Sequence, residues 1–160
     1  MDLGLRGKAA LVTASSKGIG RAIAFALASE GARVALCARD LAATERAADE
    51  IRAATGAETL AVECDLAQPE QVDALVDAVL ARFGTLHVLV NNAGGPPPGR
   101  LERMTDADWQ RAFELTLLSA VRTTRRALPA MRAQRWGRIV NVSSYTVKQP
   151  IGRASCRERV

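Results

Sequence analysis

At 160 residues, 48% of them apolar, the chain can build one domain with a real core, and no run approaches the ~20 consecutive apolar residues that a membrane-spanning helix needs. The net charge is +5, but Arg153, Arg157 and Arg159 against Glu158 place +2 of it in the last ten residues, and six aromatic residues in all provide no ring-and-cation pattern for stacking on bases. That argues against nucleic-acid binding. The N-terminus shows no charged leader followed by a long apolar stretch, and Cys37, Cys64 and Cys156 lack CxxC spacing, which points to a reduced, cytoplasmic protein.

KAALVTA (8–14) is a short apolar run that predicts a buried strand, and Gly18 to Ser29 follows as a helix. ARVALCA (32–38) is a second strand, and LAATERAADEIRAATG (41–56) a helix stopped by Gly56. TLAVECD (59–65) is a third strand. In 68–84, Val72, Leu75, Val76 and Val79 form one helical face, and LHVLVNNAGG (86–95) is a strand running into a glycine-ended loop. A long helix is expected over about Asp106 to Gln134, then a fifth strand in WGRIVNVSS (136–144). The first three strands are apolar on both faces, which predicts a parallel sheet covered by helices on both sides. Right-handed crossovers make it a doubly wound α/β sheet of order 3-2-1-4-5, with the ligand crevice at the carboxyl ends of strands one and four. Residues 1–150 read as a single dinucleotide-binding domain.

TASSKGIGRAIA (13–24) is a strand-to-helix turn of small residues, which lets backbone approach a pyrophosphate at a helix N-terminus. The first glycine of the usual fingerprint is here Ala14, and an ordinary helix start is the bland alternative. The second strand ends Cys37-Ala38-Arg39-Asp40. A site for NAD wants a carboxylate at that strand end. Ala38 offers none, and Arg39 with Lys17 across the turn suits a 2′-phosphate, hence NADP. Asp40 is read as a helix N-cap. Asp65, in CDLAQ, could accept the adenine amino group or cap the next helix. Asn91-Asn92-Ala93-Gly94 permits close backbone approach to a cofactor, with asparagine side chains bracing the sheet ends. His87 is expected to face solvent and Cys37 and Cys64 to be small core residues; no metal constellation is present.

TASSKGIG, CDLA, LVNNAGG and RIVNVSS, in this order and spacing, resemble the short-chain dehydrogenase/reductase family, close to the 3-oxoacyl-[acyl-carrier-protein] reductase type, over residues 5 to about 148. The resemblance implies a Rossmann fold and nicotinamide-dependent carbonyl reduction or alcohol oxidation on a small molecule, in a homo-oligomer packed through the long fourth helix. It puts the coenzyme phosphates on Ala14, Ser16, Lys17, Gly18, Ile19 and Gly20, and the 2′-phosphate on Arg39. The adenine falls to Asp65 with Leu66 beside it, the coenzyme-facing loop to Asn92, Ala93 and Gly94, and the catalytic serine to Ser144.

Three departures from the family pattern stand out. Ala14 replaces a glycine, which the turn accepts if its φ stays negative. Thr116 stands where the family often has an asparagine that braces a proton-relay water; its hydroxyl either holds that water less well or only packs in the helix. The family's acid/base pair, Tyr-x-x-x-Lys, is absent at its usual 12 to 14 residues beyond the serine: thirteen residues after Ser144 sits Arg157. Tyr145 adjoins Ser144 directly and Lys148 is three residues on rather than four, so neither can flank a substrate carbonyl from the far side. IGRASCRERV (151–160) has no apolar period and resembles the conceptual translation of a common sequencing adapter. The tail is therefore expected to be non-native, and the last strands of the family fold to be missing. The chain is expected to be the N-terminal part of an NADP-dependent oxidoreductase, inactive as it stands. A non-catalytic NADP-binding or sensor domain is the competing reading, and a purely structural domain the third.

Overall fold

The computed structural model describes residues 3–95 and 100–144. Tyr145, Lys148 and the 151–160 tail lie outside the described residues. The elements are β1 (Ala9–Val12), α1 (Gly18–Ser29), β2 (Arg33–Ala38), α2 (Leu41–Thr55), β3 (Thr59–Glu63), α3 (Pro69–Phe83) and β4 (Val88–Asn91). A short 3-10 turn, Leu101–Arg103, leads to α4 (Asp106–Phe113), a π-turn at Glu114–Leu118, α5 (Ser119–Ala133) and β5 (Arg138–Asn141). All four strand pairings are parallel, in the order β3-β2-β1-β4-β5, as the buried apolar runs and the alternation with helices predict.

Two cores sandwich the sheet. Ala9, Leu11, Ala35, Cys37 and Leu89 pack with Val72, Leu75, Val76 and Val79 of α3 and with Ala127 and Met131 of α5. Ala10, Val12, Val34, Leu36, Val88 and Val90 face Ala24 and Ala28 of α1 and Ala47, Ala48 and Ile51 of α2. Gly20, Ala24 and Ala28, four residues apart, are the buried face of α1, and their small size lets that helix lie close on the sheet. Helix α2 opens on Asp40, whose carboxylate accepts the Ala43 N–H at 2.9 Å, and closes on Gly56 at φ 72°. Cys37 and Cys64 are buried free thiols. The thiol hydrogen bond with Cys64, and then burial, push the Cys37 pKa up, which suits a packing role rather than a nucleophile.

Three features differ from the sequence reading. The strand at Thr59–Glu63 is an edge, so Leu60, Ala61 and Val62 are only half-buried rather than covered on both faces. The expected single helix over 106–134 is broken at Glu114–Leu118, where a π-turn inserts an extra residue. The hydroxyls of Thr116 and Ser119 donate to Ala112 O (2.7 Å) and Leu115 O (2.5 Å), the back-bonding that bends helices. The Glu114–Arg122 ion pair at 2.6 Å spans the irregular turn.

His87 is the third difference, because it is half-buried rather than turned to solvent. Its Nδ1 accepts the Ala9 N–H at 3.0 Å, and its ring meets Trp136 edge-on at 5.7 Å. Burial, then the charges of Lys8 and Arg33, hold its pKa below the ordinary value. With the folded value below the unfolded one, the unfolded chain binds the extra proton first. Stability from this histidine is therefore complete above about pH 6.5 and lost as pH falls below it. Thermal melts between pH 8 and pH 5 should show a fall in Tm that a His87→Gln variant lacks; parallel profiles for the two proteins would sink the assignment.

Candidate active site

The carboxyl ends of β1 and β4, where the strand order reverses, carry the site. After β1 the chain turns through Thr13–Lys17 into α1. The Ser15 hydroxyl donates to Val12 O (2.7 Å) and accepts the Cys37 N–H (3.1 Å), while the Ser15 N–H donates to Cys37 O (2.9 Å), pinning the turn to β2. Ala14 has φ 48°, so the condition on which the turn would accept alanine without strain, a negative φ, is not met. The turn keeps the left-handed backbone that a glycine would take without strain, and Ala14 carries a cost of about 1–2 kcal/mol for it. Gly18 has φ 59°, which explains glycine there. No side chain caps α1, since Lys17 stands at the N-cap with extended backbone, and the first-turn N–H groups remain available to an anion. Ser16 is half-buried; Lys17 and Ile19 are exposed on the rim of this turn.

Asn92 clamps the turn from the end of β4. Its backbone exchanges two bonds with the Thr13 hydroxyl, which accepts the Asn92 N–H (2.9 Å) and donates to Asn92 O (2.6 Å). Its side-chain amide donates to Thr13 O (3.2 Å) and Ala14 O (3.1 Å). Gly20 lies directly below, and a Cβ there would stand 2.4 Å from Ala14 O and 2.8 Å from Asn92 Nδ2. Asn91 braces the next layer. Its Nδ2 donates to Asn141 Oδ1 on β5 (2.8 Å) and Thr124 Oγ1 on α5 (3.2 Å), and its Oδ1 accepts from Thr123 Oγ1 (2.7 Å).

At the end of β2, Arg39 is exposed and makes no ion pair among the described residues, and neither does Lys17. Arg21, by contrast, is tied to Glu50. The Asp40 carboxylate is spent on capping α2. Asp65 is not a helix cap: α3 begins on Gln68, and Asp65 Oδ1 instead accepts the Ala67 N–H at 3.0 Å in a local turn, while its own N–H donates to Gln71 Oε1 at 2.7 Å.

A cleft of about 930 Å³ opens between these ends. Of the residues singled out in the sequence, Ile19, Leu66, Asn92, Ala93, Gly94, Thr116 and Ser144 line it. Ala14, Ser16, Lys17, Gly18, Gly20, Arg39 and Asp65 lie outside its lining, at the ends of β1, β2 and β3. Ser144 is exposed beyond β5. Thr116 is exposed on the π-turn, its hydroxyl proton committed to Ala112 O, so toward the cleft it can only accept. Sequence reasoning assigned no role to Thr13, Ser15, Thr123 or Thr124; for Thr13 and Ser15 the signal available was a hydroxyl residue at the end of an apolar run, whereas Thr123 and Thr124 sit between arginines inside α5 and carried no such signal.

A profile of the short chain dehydrogenase family matches residues 8–156. The chain belongs to that family. A 3-oxoacyl-[acyl-carrier-protein] reductase of Staphylococcus aureus is 39% identical over 138 residues, 86% of this chain and 56% of that protein. The L-sorbose reductase of Gluconobacter frateurii, solved with NADPH and L-sorbose, is 41% identical and superposes with a TM-score of 0.91 over 94% of this chain and 57% of that one. A 7α-hydroxysteroid dehydrogenase solved with NADH and 7-oxo glycochenodeoxycholic acid is 32% identical, with a TM-score of 0.86 over 91% of this chain and 56% of that one. This short-chain dehydrogenase chain thus spans a little over half the length of such relatives, and both nicotinamide dinucleotides occur among their complexes.

Proposed function

We propose that the chain is the dinucleotide-binding part of an NADP-dependent oxidoreductase that interconverts a carbonyl and an alcohol on a small molecule. The observation that carries the coenzyme choice is the end of β2. Arg39 and, across the turn, Lys17 are unpaired cations among the described residues, while Asp40, the carboxylate next in sequence, is engaged with the Ala43 N–H. Two free cations favour a 2′-phosphate and leave a bare ribose diol without a carboxylate partner. The residues fit the coenzyme elsewhere as well. The uncapped α1 and the Gly18 and Gly20 positions make a phosphate cradle that side chains would fill or strain. Asp65, at the end of β3 outside the cleft lining, would take the adenine side, Leu66 and Ile19 give the cleft apolar wall, and the Asn92-Ala93-Gly94 loop would border the nicotinamide side.

Bound NADPH would supply the hydride. Ser144, on the cleft wall, would donate a hydrogen bond to the substrate oxygen and so stabilise charge as it develops there. The proton has no donor at the family spacing, since Arg157 stands where the tyrosine belongs. The chain alone is therefore expected to bind coenzyme at best weakly and without turnover, and the parent to act in the cytoplasm as a homo-oligomer.

Fluorescence titration with NADPH and NADH tests the reading. NADPH should bind about tenfold or more tightly than NADH, and Arg39→Ala should remove most of that difference, the worth of one charge-assisted hydrogen bond, about 1.5–3 kcal/mol. NADH affinity should hardly change. Equal loss for both dinucleotides, or none, would exclude Arg39 as the 2′-phosphate contact. The missing Tyr-x-x-x-Lys favours a second reading, a non-catalytic NADP sensor. Source DNA that carries the motif in frame beyond the codon for Pro150 would eliminate the sensor; an encoded GRASCRERV and stop would favour it.

A further inference from the structure

The amino end of the sheet, opposite the cleft, carries a row of basic side chains that the oxidoreductase reading does not use. Arg33 opens β2, Lys8 immediately precedes β1, His87 precedes β4, and Arg138 opens β5. These four strands are neighbours in the sheet. In the register Arg33 and His87 stand level with Ala9, Lys8 one residue before that level and Arg138, opposite Val88, one residue after it. With strands ~4.8 Å apart the row is about 14 Å long.

Trp136 sits within it. Lys8 Nζ is 4.7 Å and Arg138 Cζ 4.8 Å from the ring centroid. Arg33 lies over Phe83 at 5.2 Å. Among the described residues no carboxylate pairs with Lys8, Arg33 or Arg138, whereas Arg21, Arg52, Arg82, Arg122 and Arg126 each have a carboxylate partner. The positive potential is felt locally, since Lys8 and Arg33 both disfavour a proton on His87. Rings that could have stacked on bases are instead platforms for cations, and that disfavours single-stranded nucleic acid.

We propose that this edge docks an acidic peptide segment, a short run of Asp and Glu on a partner protein. About 14 Å matches four or five residues of extended chain at ~3.3 Å each. The guanidinium groups of Arg33 and Arg138 each spend one Nη1 hydrogen on a backbone carbonyl, Phe83 O (3.1 Å) and Gly137 O (2.8 Å), and keep the Nε–Nη2 edge for a carboxylate, while the rings beside them hold the cations in place before the partner arrives. The cleft is at the other end of the strands, so docking leaves the coenzyme site open.

Fluorescence anisotropy of labelled hexaglutamate, in low and in physiological salt, tests the proposal on the intact chain. Saturable binding that weakens with salt is expected, with at least a tenfold loss in Lys8→Glu/Arg138→Glu. Lys8→Met/Arg138→Met keeps the side-chain stems on Trp136 without charge, so the same loss there cannot be blamed on unfolding. NADPH affinity should be unchanged in the methionine variant, which separates this surface from the coenzyme assignment. No saturable binding, insensitivity to both double variants, tighter binding of hexathymidylate than of hexaglutamate, or self-association through the same residues in its place would each overturn the proposal.

Discussion

Gly20→Ala should cost about 3 kcal/mol or more, lowering Tm by roughly 6–12 °C for a chain of this size and removing coenzyme binding with it. The added Cβ would stand 2.4 Å from Ala14 O, 2.8 Å from Asn92 Nδ2 and 2.9 Å from Ser15 Cα. Two of these three are backbone atoms of a turn already pinned to β2 and β4, so relief has to come from lifting α1 off the sheet or pushing Asn92 aside. Either movement dismantles the cradle. Two other glycines serve as controls because they differ in cause. At Gly18 a Cβ meets nothing within 4 Å, but φ is 59°, so alanine there costs only the left-handed penalty of about 1–2 kcal/mol. Gly94 has open space around a Cβ and no positive φ, and its alanine variant should melt with the parent. Chemical denaturation of the three variants gives the order Gly20, Gly18, Gly94. A Gly20→Ala protein as stable as the parent would mean that the turn is looser than the close contacts imply.

The sheet and most helix boundaries were legible because their signals are local. Helix α2 runs from an aspartate cap to a left-handed glycine, and α3 carries a regular apolar face closed by Gly84 at φ 75°. The strand order followed from the alternation of buried runs with helices. The π-turn was not legible, since FELTLLSAV keeps an unbroken helical composition and the break comes from hydroxyls bonding back to carbonyls one turn earlier. Ala14 shows a different limit. Alanine suggests negative φ, yet Asn92 holds Ala14 O and Ser15 is fixed to β2, so tertiary contacts impose the glycine-like backbone on a residue that resists it. The composition of the β2 end marked Arg39 as a cation with Asp40 as the carboxylate beside it in sequence. That Asp40 is unavailable could be argued from capping preference, and the bond to Ala43 supports it.

Asn91→Ala is the second large effect, expected at about 2–4 kcal/mol. Asn91 is buried, and its amide joins three elements through Asn141 on β5 and through Thr123 and Thr124 on α5. Alanine leaves a cavity and breaks the bond to the exposed Asn141 side chain, while Thr123 retains its bond to Ser119 O at 2.9 Å. The loss therefore falls on the β4–β5 junction more than on the helix. Consequences for the site follow from position. Beyond β4 run Asn92, Ala93 and Gly94, and beyond β5 runs Ser144, all on the cleft wall. Freeing β5 from β4 should separate the two walls, so NADPH affinity should fall along with stability. Asn91→Asp makes the comparison sharper: its carboxylate can accept from Thr123 and Thr124 but cannot donate to Asn141, and it faces the Asn141 oxygen across the pair. Urea titration of both variants, with and without NADPH, separates packing from polarity. Aspartate as damaging as alanine would locate the effect in the β4–β5 hydrogen bond, and an aspartate variant as stable as the parent would place it in the contacts to α5.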